Sequence, residues 1–323
     1  MKVLFAPLNY GNIKQDGMCD AFVGAGCDLK VFDYFAHFNS HKNLKHVREH
    51  FVNTARSFKP DLVHLQVQHT NILDEASVRR IKQINPNTII TNWTGDVRNY
   101  IPPTYKKVAK AADYNLISST GQIESFKKAL VKNVRYWQTG YNPKLYYPNL
   151  DVKYFEFDCV FIGNCDKREK YPGAKTRIDA CRLLQREFGK GFKLHGAHWP
   201  KELVSSGSVD QRSITKIYHR STSLLNISHY NDLGHYFSDR LLMCMASGRP
   251  VISLAFPGWQ SYFTHMADII IVDDIKEIPN MVHWCKNNPE HATFIGRSGA
   301  AKVFAEHTYY SRVLELLEIV GLQ

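Results

Sequence analysis

The stretch from Leu194 to Ser253 decides how this chain is read: LHGAHWP at 194–200, STSLLNISH at 221–229 and FSDRLLMCMASGRPVIS at 237–253. A Gly/Trp turn (Gly196, Trp199) follows a short strand beginning at Lys193. A second apolar strand runs into Asn226 and Ser228. A helix then opens at Ser238, Asp239 and Arg240 and closes at Ala246 and Gly248, where a new strand begins. Apolar runs without polar alternation, separated by helices, are the mark of parallel strands covered on both faces. Ser238 or Asp239 suits the N-cap of the helix. Free amides at that end and the Arg240 guanidinium both favour anions, so the segment reads as a diphosphate cradle.

Working outward, the same alternation spans the chain. In the first half the expected strands are 2–6, 28–32, 62–66, 88–92, 114–118 and 134–137, with helices at 44–58, 74–84, 104–112 and 121–129. The turn-rich run TGYNPKLYYP at 139–148 reads as a linker between domains. Beyond it come a strand at 158–162, a helix at 174–187, strands at 193–195, 223–227, 250–254 and 268–272, and an amphipathic helix at 307–320. The expected fold class is α/β: two Rossmann-like, doubly wound parallel-sheet domains facing a cleft. The domain at 1–143 takes the terminal helix 308–323 back onto itself, and the second domain covers 150–307. Ligands of such sheets bind beyond the carboxyl ends of the strands.

Composition narrows the class. The 323 residues are 44% hydrophobic and 12% aromatic, as in a globular enzyme. No apolar run reaches the roughly 20 residues of a membrane span, and MKVLFAPLNYG reads as a first strand rather than a signal peptide. Seven scattered cysteines suit thiols in a reducing cytoplasm. The net charge of +11 is uneven: residues 1–150 hold 20 Lys/Arg against 11 Asp/Glu, and residues 151–323 hold 21 against 19. A basic first half points to a polyanionic partner, with solubility as the plainer alternative. The His-x-x-x-His spacings at 37/41 and 46/50 are joined by no carboxylate triad, so no metal site is expected.

The ordered motifs resemble those of the group 1 glycosyltransferases, in the version found with spore-maturation-type enzymes. They are CVFIGN at 159–164, Arg177 on the next helix, LHGAHW at 194–199 and YHRSTSLLNIS at 218–228. The Arg240-x-x-x-x-x-Ala246-x-Gly248 helix and HTYYSR at 307–312 complete the set, and KPDLVHLQ at 59–66 is similar to the matching acceptor domain. The resemblance implies a GT-B fold and transfer of a sugar from a nucleotide diphosphate, a UDP-sugar in the first instance, without metal or bound cofactor. It assigns donor contacts to Gly11, Gly163, Asn164, Arg177, His195, Gly196, Trp199, Asn226, Ser228, Ser238 and Asp239. Arg240 would stabilise the departing nucleotide. In this chain His235 and Met243 replace the two glutamates of the wider group, and Asp239, one turn before Met243, offers a substitute carboxylate.

In the first half Asp96, within Asn-Trp-Thr-Gly-Asp-Val-Arg after a buried strand, is the candidate catalytic carboxylate, with an Asx-turn as the alternative. His69 is a second polar candidate, and His64 reads as core or cleft wall. Trp93, Arg98 and Tyr100 are acceptor candidates. Lys106, Lys107, Lys110, Lys127, Lys128 and Lys132 would meet phosphates. The acceptor expected from the charge is nucleic acid, for instance DNA bearing a hydroxymethylated base. A surface glycan, a lipid, an envelope protein or an inactive binding module are the alternatives.

Overall fold

In a computed structural model the chain forms two compact units, Met1–Thr139 with Tyr309–Gln323, and Gly140–Thr308. The structure describes every residue except Asn12, Leu150, Lys153, residues 166–170 and Gln323.

The first unit is built on a parallel sheet of β1 (Lys2–Ala6), β2 (Asp28–Val31), β3 (Leu62–Leu65), β4 (Ile89–Thr94), β5 (Tyr114–Ile117) and β6 (Val134–Tyr136), in the order β2-β1-β3-β4-β5-β6. Its central strands are buried along their length because both faces are covered: every residue of LVHL in β3 is buried. One face carries α2 (Tyr34–His41), α3 (Leu44–Phe58) and α4 (Glu75–Ile84), whose Val47, Phe51, Val78 and Ile81 join Leu4, Val63 and Ile90 in one core. Asn43 and Asp74 cap α3 and α4 by accepting from the amides of His46 and Ser77. The other face carries α1 (Asp16–Gly24) and the last helix. Toward the β6 edge, α5 (Pro103–Ala111) and α6 (Ile123–Lys128) share a smaller core through Tyr105, Ala109 and Phe126.

The second unit repeats the plan with β7 (Phe157–Ile162), β8 (Phe192–His195), β9 (Ser221–Asn226), β10 (Val251–Leu254) and β11 (Ile270–Val272), all parallel, in the order β11-β10-β9-β7-β8. α7 (Ala174–Phe188) and α10 (Ile278–Asn287) pack one core, while α8 (Ile214–His219) and α9 (Asp239–Ala246) pack the other. α11 (Pro289–Glu306) contributes Ile295 to the first and Val303 to the second. The last helix, α12 (Tyr309–Ile319), returns to the first unit. There Val313, Leu316 and Leu317 pack with Met18 and Phe22 of α1, and Trp137 Nε1 donates to the Arg312 carbonyl at 2.9 Å.

In both sheets the first strand lies between the second and the third. Chain direction across the sheet therefore reverses between β1 and β3, and again between β7 and β9. The crevice beyond the carboxyl ends at such a reversal is where doubly wound sheets bind ligands.

Candidate active site

At the reversal in the second unit, β7 ends in Gly163 and Asn164, and β9 ends in Asn226, Ile227 and Ser228. Arg177, almost fully buried on α7, braces the two loops. Its Nε donates to the Ile227 carbonyl at 2.8 Å and Nη1 to the Asn164 carbonyl at 3.0 Å, with His229 Nε2 at 2.6 Å. Burial, and then the nearby Arg240 guanidinium, push its pKa well below the usual arginine value. Its Nε and Nη1 thus serve the Ile227 and Asn164 carbonyls and the His229 ring, so Arg177 positions the two loops.

Arg240, in the first turn of α9, donates to the same Ile227 carbonyl at 3.1 Å and lies over the Phe161 ring at 5.3 Å. It is only partly buried. A guanidinium has five N–H donors in a planar fork, so a single carbonyl leaves most of this one to serve an anion.

The loop after β8 is locked to the loop after β7. Gly163 N donates to the His195 carbonyl at 3.0 Å, Cys165 N to the Ala197 carbonyl at 2.9 Å, and Ala197 N to Asn164 Oδ1 at 2.8 Å. Only glycine fits at 196: its φ is +126°, and a Cβ there would stand 2.0 Å from the Gly163 carbonyl oxygen. Trp199 packs edge-on against Phe161, ring centroids 5.8 Å apart, and its indole N–H donates to the Gly163 carbonyl at 3.0 Å. Its ring packing and its N–H are thus both engaged within the unit.

Three side-chain atoms around this end of the sheet are buried without a protein partner: His195 Nδ1, Asn226 Oδ1 and Ser238 Oγ. Ser238 stands at the N-cap of α9 but makes no capping hydrogen bond, contrary to expectation. Asn226 spends its amide nitrogen on Ser253 Oγ at 3.0 Å, leaving its oxygen free. The His195 pKa is lowered by burial and then by Lys193, with a hydrogen bond from the ring to the Gly207 backbone opposing, so the ring favours its neutral form. Buried polar atoms without partners are rare because each costs about 1–3 kcal/mol. The three lie at the ends of β8 and β9 and the start of α9, all on residues singled out from the sequence. Asp239 is exposed beside them. Ser228 is held by Asn231, whose side chain both accepts from its amide and donates to its carbonyl. The sequence reading did not assign His229 or Asn231. Their position directly after the β9 carboxyl end was the available signal.

His235 and Met243 contribute no carboxylate. His235 has a left-handed backbone (φ 56°), donates its amide to the Pro257 carbonyl at 2.7 Å and packs its ring near Tyr262. Met243 packs against the apolar core between α9 and the sheet.

In the first unit, Asp96 and Arg98 follow β4. Their side chains pair at 3.4 Å, with Asp96 61% and Arg98 23% exposed, so the carboxylate faces solvent while the guanidinium is tucked in. His69 lies within electrostatic reach of both: burial and then Arg98 lower its pKa, and Asp96 opposes them. A narrow pocket beside them is lined by Gln68, Thr94, Asp96, Arg98, Tyr100 and Gln122, among others. Arg98 Nε, Gln68 Oε1 and Tyr105 Oη around it are buried without partners. Gln68 and Gln122 were not singled out in the sequence, since isolated glutamines carry no pattern. Tyr100 is 63% exposed, as a contact surface requires. Trp93 is 5% exposed and packs edge-on to Trp137 at 5.0 Å. His64 is wholly buried between Phe5 and Trp137, so it belongs to the core. Lys107, Lys110, Lys127, Lys128 and Lys132 are exposed and Lys106 is half-buried, all on or near α5 and α6. Gly11 has φ +58° and lines a cleft with Asn9, Tyr10 and Phe35. Asn12, read with it as one loop, lies outside the described residues. Among the described residues no group of three or more His, Cys, Asp or Glu side chains is placed to hold a metal ion.

Two Rossmann-like units with parallel sheets make this chain a GT-B fold. Within the second unit and the last helix, residues 177–318 match the family described as glycosyl transferase-like. Among solved structures the chain is similar to Anabaena HepE in complex with UDP and glucose, with 14% identity, all of both chains covered and a TM-score of 0.67. It is also similar to sucrose-phosphate synthase from Thermosynechococcus elongatus (17% identity, 99% of this chain and 98% of that one, TM-score 0.66). A glycosyltransferase from Rickettsia africae gives 12% identity, coverage of 98% and 97%, and a TM-score of 0.66. No curated protein matches the chain by sequence.

Proposed function

We propose that the protein is a metal-independent glycosyltransferase of the spore-maturation type, moving a sugar from UDP to a hydroxyl of a polyanionic acceptor. The observation that carries the donor half is the trio of partnerless buried atoms on His195, Asn226 and Ser238 beside the Arg240 guanidinium and the N-terminus of α9. Their donor and acceptor groups suit a base, a ribose and a diphosphate. The HepE structures, which hold UDP, UDP-glucose or UDP with glucose, support a uridine donor by analogy.

In the reaction the bond from the sugar's anomeric carbon to the β-phosphate oxygen breaks, and a bond to the acceptor oxygen forms. Negative charge grows on the leaving diphosphate, where Arg240 and the α9 amides stabilise it. The acceptor hydroxyl loses its proton to Asp96, or to His69, which its surroundings keep in the neutral, proton-accepting form. Arg98 and Tyr100 hold the acceptor. The exposed lysines of α5 and α6 favour a phosphate backbone, with DNA carrying a hydroxymethylated base as the specific reading. All seven cysteines are free thiols, six of them buried, which accords with a cytoplasmic location.

The test is a thermal-shift screen of nucleotide-sugars followed by transfer assays on modified DNA and on glycans. A donor at about 100 times its Kd stabilises the fold by about 2.7 kcal/mol. No shift with any donor sinks the transferase reading. Transfer to DNA that does not weaken with added salt sinks the polyanion reading.

A further inference from the structure

The second unit holds another polar cavity, of about 330 Å³, at the opposite end of its sheet. Asp158 of β7, Thr222 of β9 and Arg249-Pro250 before β10 lie at the amino-terminal ends of the strands, and Lys286, Ala292 and Thr293 close the cavity from α10 and α11. It is separated by the length of the strands from the carboxyl-end site.

Arg249 is its centre. The residue is 5% exposed, yet among the described residues no carboxylate pairs with it. Its Nη2 donates to the Asn149 carbonyl at 2.9 Å, its guanidinium lies over the Phe155 ring at 4.8 Å, and its Nε has no acceptor at all. Burial and then Arg297 push its pKa down, so the site already carries more positive charge than it neutralises. Lys286 adds a second cation, paired with Asp158 at 2.8 Å. Ala292 and Thr293, just after the first turn of α11, also line the cavity; the Ala292 amide is spent on the Asn288 carbonyl at 2.9 Å, so the helix offers the Thr293 hydroxyl. Glu290 in that turn and the paired Asp158 are the local acids. A buried guanidinium is tolerated when an anion meets it. That guanidinium, a threonine hydroxyl and a lysine around one cavity form a cradle for a tetrahedral dianion. The volume admits a phosphate with an organic group attached.

We infer that this cavity is a second binding site, distinct from the donor site, for a small phosphate monoester whose phosphoryl group meets Arg249, Lys286 and the Thr293 hydroxyl. The assignment stands independently of the transfer reaction. The β10 strand after Arg249 and the α9 helix before it tie the cavity covalently to the element bearing Arg240.

The experiment is calorimetric titration of the full chain carrying Arg240→Ala, which weakens the other anion site. The probes are AMP, glucose 6-phosphate and inorganic phosphate, with adenosine and glucose as uncharged controls. The expected result is binding by phosphate-bearing probes only, and their ranking distinguishes a nucleotide, a sugar phosphate or the free ion as the source. Lys286→Met, at an exposed position, weakens that binding by about tenfold or more. Arg249→Met abolishes it while the melting temperature of the ligand-free protein holds or rises, because a buried unpaired charge is removed. The assignment is overturned if no phosphate probe binds at millimolar concentration, if the uncharged controls bind equally well, or if binding survives both Lys286→Met and Arg249→Met.

Discussion

Lowering the pH from about 8 to about 5 protonates His64 in the unfolded chain but not in the fold, and the structure sets how much that destabilises the first unit. The ring is fully buried against Phe5, with centroids 5.5 Å apart, its Nδ1 lies 2.8 Å from Thr91 Oγ1, and its Nε2 has no partner. Burial alone drives its pKa from 6.5 down to about 3. A histidine whose folded pKa is depressed stays neutral in the fold while the unfolded chain takes up a proton. Stability is therefore complete above the unfolded pKa and is lost as pH falls below it. At about pH 5, roughly 1.5 units below that pKa, the loss from this residue is about 2 kcal/mol at 1.36 kcal/mol per unit. It grows until the folded pKa is reached. His64→Asn keeps a group able to hydrogen-bond Thr91 but removes the titration. It also leaves a cavity that costs a few kcal/mol at every pH, so the slopes are compared rather than the absolute stabilities. Urea unfolding of both proteins across this range is the assay. His37, His195 and His219 are depressed in the same direction and contribute equally to both slopes. Wild type is expected to lose about 2 kcal/mol more than the variant. Equal slopes refute the assignment of His64 as a neutral buried base.

Arg240→Ala is expected to leave the melting temperature nearly unchanged and to lower transfer about a hundredfold or more, as loss of one leaving-group stabiliser does; steady-state kinetics with a UDP-sugar checks it. Gly196→Ala forces a Cβ to within 2.0 Å of the Gly163 oxygen at φ +126°, so donor binding is lost along with several °C of melting temperature. Gly207→Ala, with a positive φ but open space around it, costs only about 1 kcal/mol and serves as the control. Asp96→Asn lowers transfer by about 10²–10⁴-fold while leaving UDP binding intact, read by calorimetry beside a single-turnover assay. Equal loss of binding would reassign Asp96 to the donor.

Most of the strands were legible because buried parallel strands must be apolar on both faces, which leaves short unbroken runs such as LVHL and IITNW. The α3 and α4 helices were legible as helical stretches at 44–58 and 74–84, and the structure adds their Asn43 and Asp74 caps. The helix α11 was not. Its Gly296 and Gly299 weaken helix propensity, yet a Cβ at either would come within 2.3–2.4 Å of the Gly248 or Asp268 carbonyl oxygen, so close packing requires glycine there. Site residues followed the same division. Arg177, Trp199 and Trp93 drew attention as long polar or aromatic side chains, and composition cannot reveal whether such a group points inward or outward.

The sequence by itself determined the alternation of strands and helices, the basic bias of the first half and the positions where loops leave the strand ends. These depend on local pattern, which the chain carries wherever it folds. The tertiary structure alone decided that Arg177 braces two loops, that Trp199 and Trp93 belong to packing, and that His195, Asn226 and Ser238 keep buried polar atoms unspent. Whether a polar atom is already satisfied depends on partners dozens of residues away, and only the folded chain brings those within hydrogen-bond distance.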